Sequence, residues 1–516
     1  MSARLHPGVY VEEVPSSSRA VEGVSTSTAI IVGEAERGPL SPQRLSSYEA
    51  FERLFGGSVL PSGERALLPL SVAAFFANGG SDLYVLRVAA QSGPGVVAAK
   101  GSYTSNELVA AASVGVWGNG LRVRFGASSD GDSTRFSLVV YYRAPGSGND
   151  VVLESFDRLS LVATDAQAAA RVLERSAVLR WTGAASLALT DLPIPANTTS
   201  NQVQLAGGVG GGAAFAWTLT DLKPLDAIDD AALLLAAPSA AINPPPSNAP
   251  QGNVQSDVWA LFAGYVEARP LGDLFYVADL PRSATSGAVD QATDDVIAAY
   301  NLLQKSSRVA GYWPFVRIAD PVVSGAGLFV PPSGFVAGLY ARTDARRGVW
   351  KAPAGTDGQV LGVLGLEFKL LDAQQDRLNP RGINGLRQLP GAGAVVWGAR
   401  TTQPDSEWRY VPVRRTAIFL AESIRTSIQW AVFEPNSPTL WQALRVTVEA
   451  FMSGLHRQGA FASPAASEAY FVRCDATTTT EADRLAGIVN VVVAFAPLRP
   501  AEFVVVKLSQ KTALSA

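Results

Sequence analysis

The chain has 516 residues, 47% of them apolar and only 17% charged, where soluble domains carry roughly 25% charge. Its formal net charge of −3 lacks the basic excess that a general nucleic-acid binder needs to displace counterions. One cysteine and two histidines exclude an intrachain disulfide and a cysteine-based zinc cluster, and leave little for acid–base chemistry.

At about 100–200 residues per domain the length suggests roughly three domains. Met1–Pro15 holds no apolar core of a secretory signal. The longest apolar runs, Ala231–Ala237 and Val491–Ala496, fall far short of the ~20 residues that span a bilayer. No direct membrane insertion is expected, and a product folded in the cytoplasm is the default.

The N-terminus reads His6-Pro-Gly-Val-Tyr-Val-Glu-Glu-Val-Pro15. Its prolines disfavour helix, and Val9 and Val11 alternate with Tyr10 and Glu12 at the period of a strand. Ser16–Ser18 then forms a flexible joint. The expectation is a short strand on a tether, with a disordered terminus as the alternative.

An α/β pattern follows. Ser27–Val32 is a strand ending at Gly33. Ser46 and Glu49 have capping-box spacing and start a short helix to Phe55. A second helix begins near Pro69 and stops at Asn78-Gly79-Gly80, before the strand Leu83–Val88. From 97 to 221 short strands such as Leu121–Phe125 and Phe136–Tyr142 alternate with turns, which predicts a β-rich insertion with helix over Ala166–Leu179. Gly207–Gly212 reads as a mobile loop.

The α/β pattern then resumes. Ala231–Ala236, Leu274–Ala278 and Gly311–Ile318 are strands, and Thr293–Gln304 is a helix. Pro244–Pro246 lies in a linker between the first two strands. This alternation predicts a mostly parallel sheet interrupted by the insertion. Farther on, Arg414–Val432 aligns Ala417, Leu420, Ala421, Ile424, Ile428 and Ala431 on one helical face. Ser437 caps a helix with Trp441, Leu444, Val448, Phe451 and Leu455 as its stripe. A short helix runs from Thr480, with Asp483 as box partner and Gly487 as stop. The strands Ile488–Phe495 and Glu502–Leu508 close the chain.

Motifs for chemistry are poor. Gly33-Glu-Ala-Glu-Arg-Gly38 has phosphate-loop spacing, but Pro39 and Leu40 replace the required Lys and Ser/Thr, so a tight turn is the reading. No G-x-S-x-G nucleophile elbow is present. Cys474 sits in a strand-like run as a small apolar residue, and His456 at a helix end. The acidic pairs Glu12-Glu13, Asp229-Asp230 and Asp294-Asp295 read as solvated surface. Arg346-Arg347 and Arg414-Arg415 either meet acidic surfaces of a protein partner or face solvent. No catalytic, cofactor or metal site is assigned. What stands out is two strand-like ends, each with unpaired backbone groups that a neighbouring subunit's sheet could complete.

In that setting the sequence resembles the tail sheath proteins of contractile phages and phage-like contractile injection systems. The matching stretches begin with His6–Pro15 and Gly23-Val-Ser-Thr-Ser-Thr28, then Phe55-Gly-Gly57, Phe75-Phe-Ala-Asn-Gly-Gly80 and Tyr84-Val-Leu-Arg87. They continue with Pro332-Ser-Gly-Phe-Val-Ala-Gly338, Arg347-Gly-Val-Trp-Lys-Ala-Pro353 and Asn379-Pro-Arg-Gly-Ile-Asn384. The densest is Val396-Trp-Gly-Ala-Arg-Thr401, followed by Arg414-Arg415, Phe433-Glu-Pro-Asn436 and Pro500-Ala-Glu-Phe503. Each is weak alone; their order and spacing together are specific.

The resemblance implies a multidomain α/β and α+β fold. It divides the chain into an N-terminal arm (1–22), an outer α/β domain (23–96 and 222–345), its β-rich insertion (97–221), an inner tube-facing core (346–499) and a C-terminal strand arm (500–516). It implies a structural subunit, not an enzyme, that polymerises helically around an inner tube and contracts to drive the tube through a target membrane. Val9, Tyr10, Val11 and Val14, and Phe503, Val504, Val505 and Val506, are then the intersubunit arm strands. Glu481, Asp483 and Arg484 on the late helix face the tube. The implied partners are other copies, the inner tube, and baseplate and tail-terminator or cap proteins, with no cofactor and no nucleic acid. Assembly in a bacterial cytoplasm and residence in a virion tail or injection particle follow. The alternatives are an α/β-fold hydrolase, or a non-contractile tube or surface-assembly protein.

Overall fold

The computed structural model of the chain describes residues 20–89, 96–144, 148–195, 201–210, 217–242, 254–283, 288–403 and 407–502. It divides into two compact units, Ser25–Arg415 and a smaller one formed by Met1–Val24 with Thr416–Ala516.

The larger unit is built on an eight-stranded sheet in the order Gly393–Val396, Ile383–Leu389, Val309–Trp313, Phe275–Asp279, Leu233–Ala237, Ala29–Gly33, Leu83–Arg87, Gln43–Leu45. The six inner strands run parallel, and the strand at each edge is antiparallel to its neighbour. Ala29–Gly33, Leu233–Ala237 and Phe275–Asp279 are buried along their whole length. That is why they read as unbroken apolar runs: helices cover both faces of a parallel sheet.

Local signals place most elements within a few residues. The first helix is Tyr48–Phe55, and its cap is Ser47, which accepts from Ala50 N at 3.2 Å. Ser46, expected in that role, lies one residue too early. The second helix, Leu67–Ala77, ends with Gly80 N donating to Phe75 O at 2.9 Å. It packs against the helix Ser333–Arg347 at very short range. A Cβ on Gly338 would lie 2.4 Å from Phe75 O, and one on Gly334 2.8 Å from Ser71 O. These glycines, four apart on one helical face, let the two backbones touch. That gives the Pro332–Gly338 motif a physical reason.

Several expectations need correction. The helix Val254–Ala268, with Val258, Trp259, Phe262, Ala263 and Val266 buried, follows the stretch taken only as a linker. Pro244–Pro246 lies outside the described residues. The run Gly311–Ile318 is two strands, Val309–Trp313 and Val316–Ala319, parted around Pro314, which has no N–H to donate. The second joins a small sheet with Gly327–Val330 and Gly365–Leu366. The helix expected at Thr293–Gln304 is Val289–Leu302.

The described residues between 97 and 221 are β-rich. One antiparallel sheet orders Gln202–Gln204, Leu121–Ala127, Phe136–Tyr142 and Val151–Leu159; another orders Lys100–Tyr103, Asn106–Ala111 and Leu179–Trp181. Phe136, Leu138, Val140 and Tyr142 are buried while the residues between them are partly exposed, the alternation of a half-buried strand. Helix survives only at Ala169–Leu173 of the expected Ala166–Leu179. Within the glycine tract, Val209 bridges Val97 and Gly210 O accepts from Val116 N. Its described part is therefore held, not loose.

The Gly33–Gly38 turn joins the sheet to the insertion. Gly38 N donates to Ser113 Oγ at 3.0 Å, and Arg87 donates to Gly38 O at 2.7 Å and Val114 O at 3.1 Å. Its Glu34 is buried and accepts from Trp217 Nε1 at 3.0 Å and Ser239 N at 2.8 Å. These contacts are internal ties of the fold.

In the smaller unit the helix Pro438–Arg457 is capped by Ser437. It buries Trp441, Leu444, Val448 and Leu455, with Phe451 half-buried. Cys474 packs with Leu440, Trp441 and Leu444, and burial pushes its thiol up. The preceding helix spans Val411–Ser427, three residues earlier than expected, followed by one 3-10 turn at Gln429–Ala431. On it Ile418 and Leu420 are buried, whereas Ala421, aligned with Leu420 on the apolar helical face, is exposed.

The expected boundary at 345/346 does not coincide with the compact division. Ile383–Leu389 and Gly393–Val396 are strands of the large sheet, so the break falls at 415/416.

Candidate assembly site

Of the residues expected in the arms, Val9, Tyr10, Val11, Val14 and Phe503–Val506 lie outside the described residues. The structure does describe the root of the N-terminal arm. Glu22 N donates to Ser427 Oγ at 3.1 Å, and Val24 N to Ser423 Oγ at 3.1 Å. The two serines stand four apart, one above the other on a helical face. Between them, a Cβ on Gly23 would lie 3.1 Å from the Phe419 ring, so the glycine lets the chain lie flat. Phe419 in turn packs on Phe451, ring centroids 6.0 Å apart. Sequence reasoning missed this clip; the i, i+4 serine spacing is the only signal it left.

The second feature is the hairpin of Tyr470–Arg473 and Val492–Phe495, paired antiparallel from Tyr470↔Phe495 to Arg473↔Val492. Directly opposite residues share a face. Tyr470, Val472, Val493 and Phe495 form one face, and Val472 is buried. Tyr470 and Phe495 pack on Phe461 at 5.8 and 6.0 Å. The other face carries Phe471, Arg473, Val492 and Ala494. Phe471 there is 49% exposed and Val492 43%, with Arg473 over the Phe471 ring at 5.7 Å. Among the described residues this sheet has two strands and no third. Two strands alone are marginally stable, and their outer edges are templates for pairing.

The third is the helix Glu481–Leu485. Thr480 and Asp483 form the expected capping box: Thr480 N donates to Asp483 Oδ2 at 2.8 Å and Asp483 N to Thr480 Oγ1 at 3.2 Å. The Thr480 hydroxyl and N–H hold the Asp483 carboxyl below its usual range. Glu481 pairs with Arg484 at 2.7 Å. All three residues expected to face a tube thus have local partners. The unpartnered groups beside them are apolar. Leu485 is 83% exposed, and Ile488 and Phe433 are also exposed. Asn436 Nδ2 donates to Ile488 O at 3.0 Å, which ties the Phe433–Asn436 loop to this helix.

The remaining candidates are dispersed. His456 Nε2 contacts Ser463 O at 3.0 Å and its ring packs on Phe461, while Cys474 belongs to the Trp441 cluster. Arg415 is buried rather than turned to a partner or to solvent, and bonds Asp344 and Thr26 O. Arg414 lies half-buried over the Trp408 ring at 4.9 Å. Among the described residues no group of three His, Cys, Asp or Glu could hold a metal ion, and no helix is long and apolar enough to cross a membrane.

Taken together, an eight-stranded α/β unit with a β-rich insertion, and a smaller unit with a two-stranded sheet, define a multidomain α/β chain. The chain is similar to the phage tail sheath proteins: the profile of the phage tail sheath central domain matches residues 276–402, and that of the C-terminal domain residues 403–511. The tail sheath protein of Enterobacteria phage T4 is 32% identical over 154 residues, 30% of this chain and 22% of that protein. A putative prophage major tail sheath protein of Pseudomonas aeruginosa strain UCBPP-PA14 is 30% identical over 175 residues, 33% of this chain and 44% of that protein. The aligned stretches thus span less than half the length of these curated relatives.

Solved structures match along nearly the whole chain. The sheath of an extracellular contractile injection system, PVC, in its contracted state aligns with TM-score 0.58 and 22% identity, covering 99% of each chain. The contracted helical sheath of the anti-feeding prophage aligns with TM-score 0.57 and 23% identity, over 99% of this chain and 100% of that one. At these identities the likeness shows the fold.

Proposed function

We propose that this chain is the structural subunit of a contractile tail sheath. It polymerises helically around an inner tube and contracts to drive the tube through a target membrane. The observation that carries the reading is the antiparallel pair Tyr470–Arg473 and Val492–Phe495, which has no third full strand among the described residues and lies in the region that matches the sheath C-terminal domain. Residues 1–15 of one copy and 503–508 of another add strands to it. Each backbone hydrogen bond contributes a net ~1 kcal/mol, and many copies act together. The Ser423 and Ser427 clip sets where the N-terminal arm leaves its own subunit.

In this reading the smaller unit, with Thr416–Ala516, is the tube-facing part. The large sheet and its insertion form the outer part. Contraction releases free energy because the contracted lattice buries more surface between copies. A charged fraction of 17% lowers the cost of that burial, since fewer ions lose water. The partners are other copies, an inner tube, and baseplate and terminator proteins. Assembly takes place in a bacterial cytoplasm, and the product is a virion tail or an injection particle. The hydrolase alternative has no support in the relatives found.

Electron microscopy of the expressed full chain tests the reading. Striated tubes of two widths and lengths are expected, and deletion of residues 1–15 should abolish them without unfolding either unit. Normal tubes from the truncated chain would refute the arm assignment; an absence of any tubular assembly would count against the sheath itself.

A further inference from the structure

The helix Ser333–Arg347 ends at Gly348, and the following loop folds back over its last turns. Between helix and loop lies a cavity of about 230 Å³, faced by Arg342, Arg346 and Arg347 from the helix and by Lys351 and Asp357 from the loop. Four cations meet one carboxylate. The Arg347–Asp357 pair is long, 3.8 Å, and both side chains are more than half exposed. Such a pair contributes little. Arg346 and Lys351 have no described carboxylate partner; Lys351 Nζ reaches only Ala352 O, at 3.4 Å.

Arg342 is the most telling of the four. It is half-buried and donates to two main-chain carbonyls, Asn78 O at 3.1 Å and Gln359 O. Those bonds orient the guanidinium without neutralising it. Burial, and Arg346 beside it, press its pKa below the ordinary value. A helix C-terminus favours basic residues in its last turn, which accounts for Arg346 and Arg347. It does not account for Lys351, which the loop brings in, nor for the open cavity that the four line.

We propose that this basin is a binding site for a compact, multiply charged oxyanion of the phosphate class. A tetrahedral dianion can accept from several donors at once, and guanidinium forks match its oxygens in bidentate pairs. The cavity is large enough for such an ion with a few waters. The site lies wholly within the larger unit.

The test is calorimetric titration of the purified full chain with inorganic phosphate, at constant ionic strength set by sodium chloride. One saturable site is expected. Arg346→Gln with Lys351→Gln should weaken it at least tenfold, and Asp357→Asn should tighten it by removing the competing carboxylate. Absence of saturable binding, or binding unchanged in both variants, overturns the proposal. A parallel titration with hexaglutamate separates the sources. If the peptide saturates the basin and phosphate does not, the site recognises an acidic protein segment and the phosphate assignment is wrong.

Discussion

Arg415 and Asp344 form a bidentate ion pair inside the larger unit, Nη1–Oδ1 3.0 Å and Nη2–Oδ2 2.6 Å, with side chains 3% and 4% exposed. Arg415 also donates to Thr26 O at 2.7 Å and lies over the Tyr340 ring at 4.7 Å. It therefore ties three segments distant in sequence. Removing one partner strands a buried charge, which costs about 3–5 kcal/mol. Asp344→Asn should lower the urea midpoint of the full chain accordingly. Asp344→Leu with Arg415→Met should recover most of the loss, because an apolar pair leaves no uncompensated charge. A double variant as unstable as the single one would show that the Thr26 tie outweighs the ion pair.

Two buried carboxyls should make stability depend on pH. Burial pushes Glu34 up to about 7, against 4.5 ordinarily, although Ser239 and Trp217 donate to it. Burial likewise pushes Asp279 up to about 7, against 3.8, opposed by Ser333 N and Oγ. Between those ordinary values and about pH 7 the folded chain holds protons that the unfolded chain has released. Their contribution is fully present at the acid end, falls as pH rises through the window and levels off above about 7. Urea midpoints measured at pH 5.5 and 8 should fall less for Glu34→Gln than for the parent chain. Equal slopes in the two chains would rule out protonation of Glu34.

The arm clip predicts a separable effect. Ser423→Ala with Ser427→Ala removes two hydrogen bonds of about 1 kcal/mol each. Gly23→Val forces a side chain against Phe419. Either change should speed proteolysis after residues 20–24 while leaving the unfolding transition of the larger unit in place. Limited digestion followed by mass spectrometry reads the cut site. Unaltered cleavage kinetics in both variants would argue that the arm root is held elsewhere.

The hairpin's exposed face should matter for assembly but little for folding. Phe471→Glu places a charge on the face against which an added strand's side chains would pack, and surface changes of this kind usually shift stability by under about 0.5 kcal/mol. Sedimentation should show fewer polymers at an unchanged melting temperature. Val505→Pro, which removes a ladder donor from the proposed incoming strand, should give the same phenotype.

On the helix Glu481–Leu485 the three charged residues should separate into two roles. Asp483→Ala removes the reciprocal cap and should destabilise this helix alone. Exchanging Glu481 and Arg484 as a pair keeps their ion pair and reverses the local dipole. If these charges meet a tube, co-sedimentation with the tube protein should fall on exchange; if the contact is apolar, only Leu485→Asp should reduce it.

Much of the architecture is legible in the chain itself because its signals are local. The runs at 29–33, 233–237 and 275–279 are buried on both faces, so composition alone marks them as strands of a parallel sheet. The Ser437 cap and the Thr480–Asp483 box are set by side chains reaching three residues along, and both lie where expected. The order of short motifs likewise points to the sheath family before any coordinate is known. Other features depend on groups far apart in sequence, which no local pattern encodes. Arg415 reads as a surface cation, and only the approach of Asp344, Tyr340 and Thr26 makes it a buried one. Gly334 and Gly338 look like flexible points until the backbone at Ser71 and Phe75 comes within contact of them. The break at 415/416 is equally invisible locally, because strands at 383–396 enter a sheet that begins at residue 29. Sequence alone determined which segments form elements and which family they resemble. The tertiary structure decided which charges are buried, which backbones touch and which edges stay open, because each depends on a partner that only folding brings near.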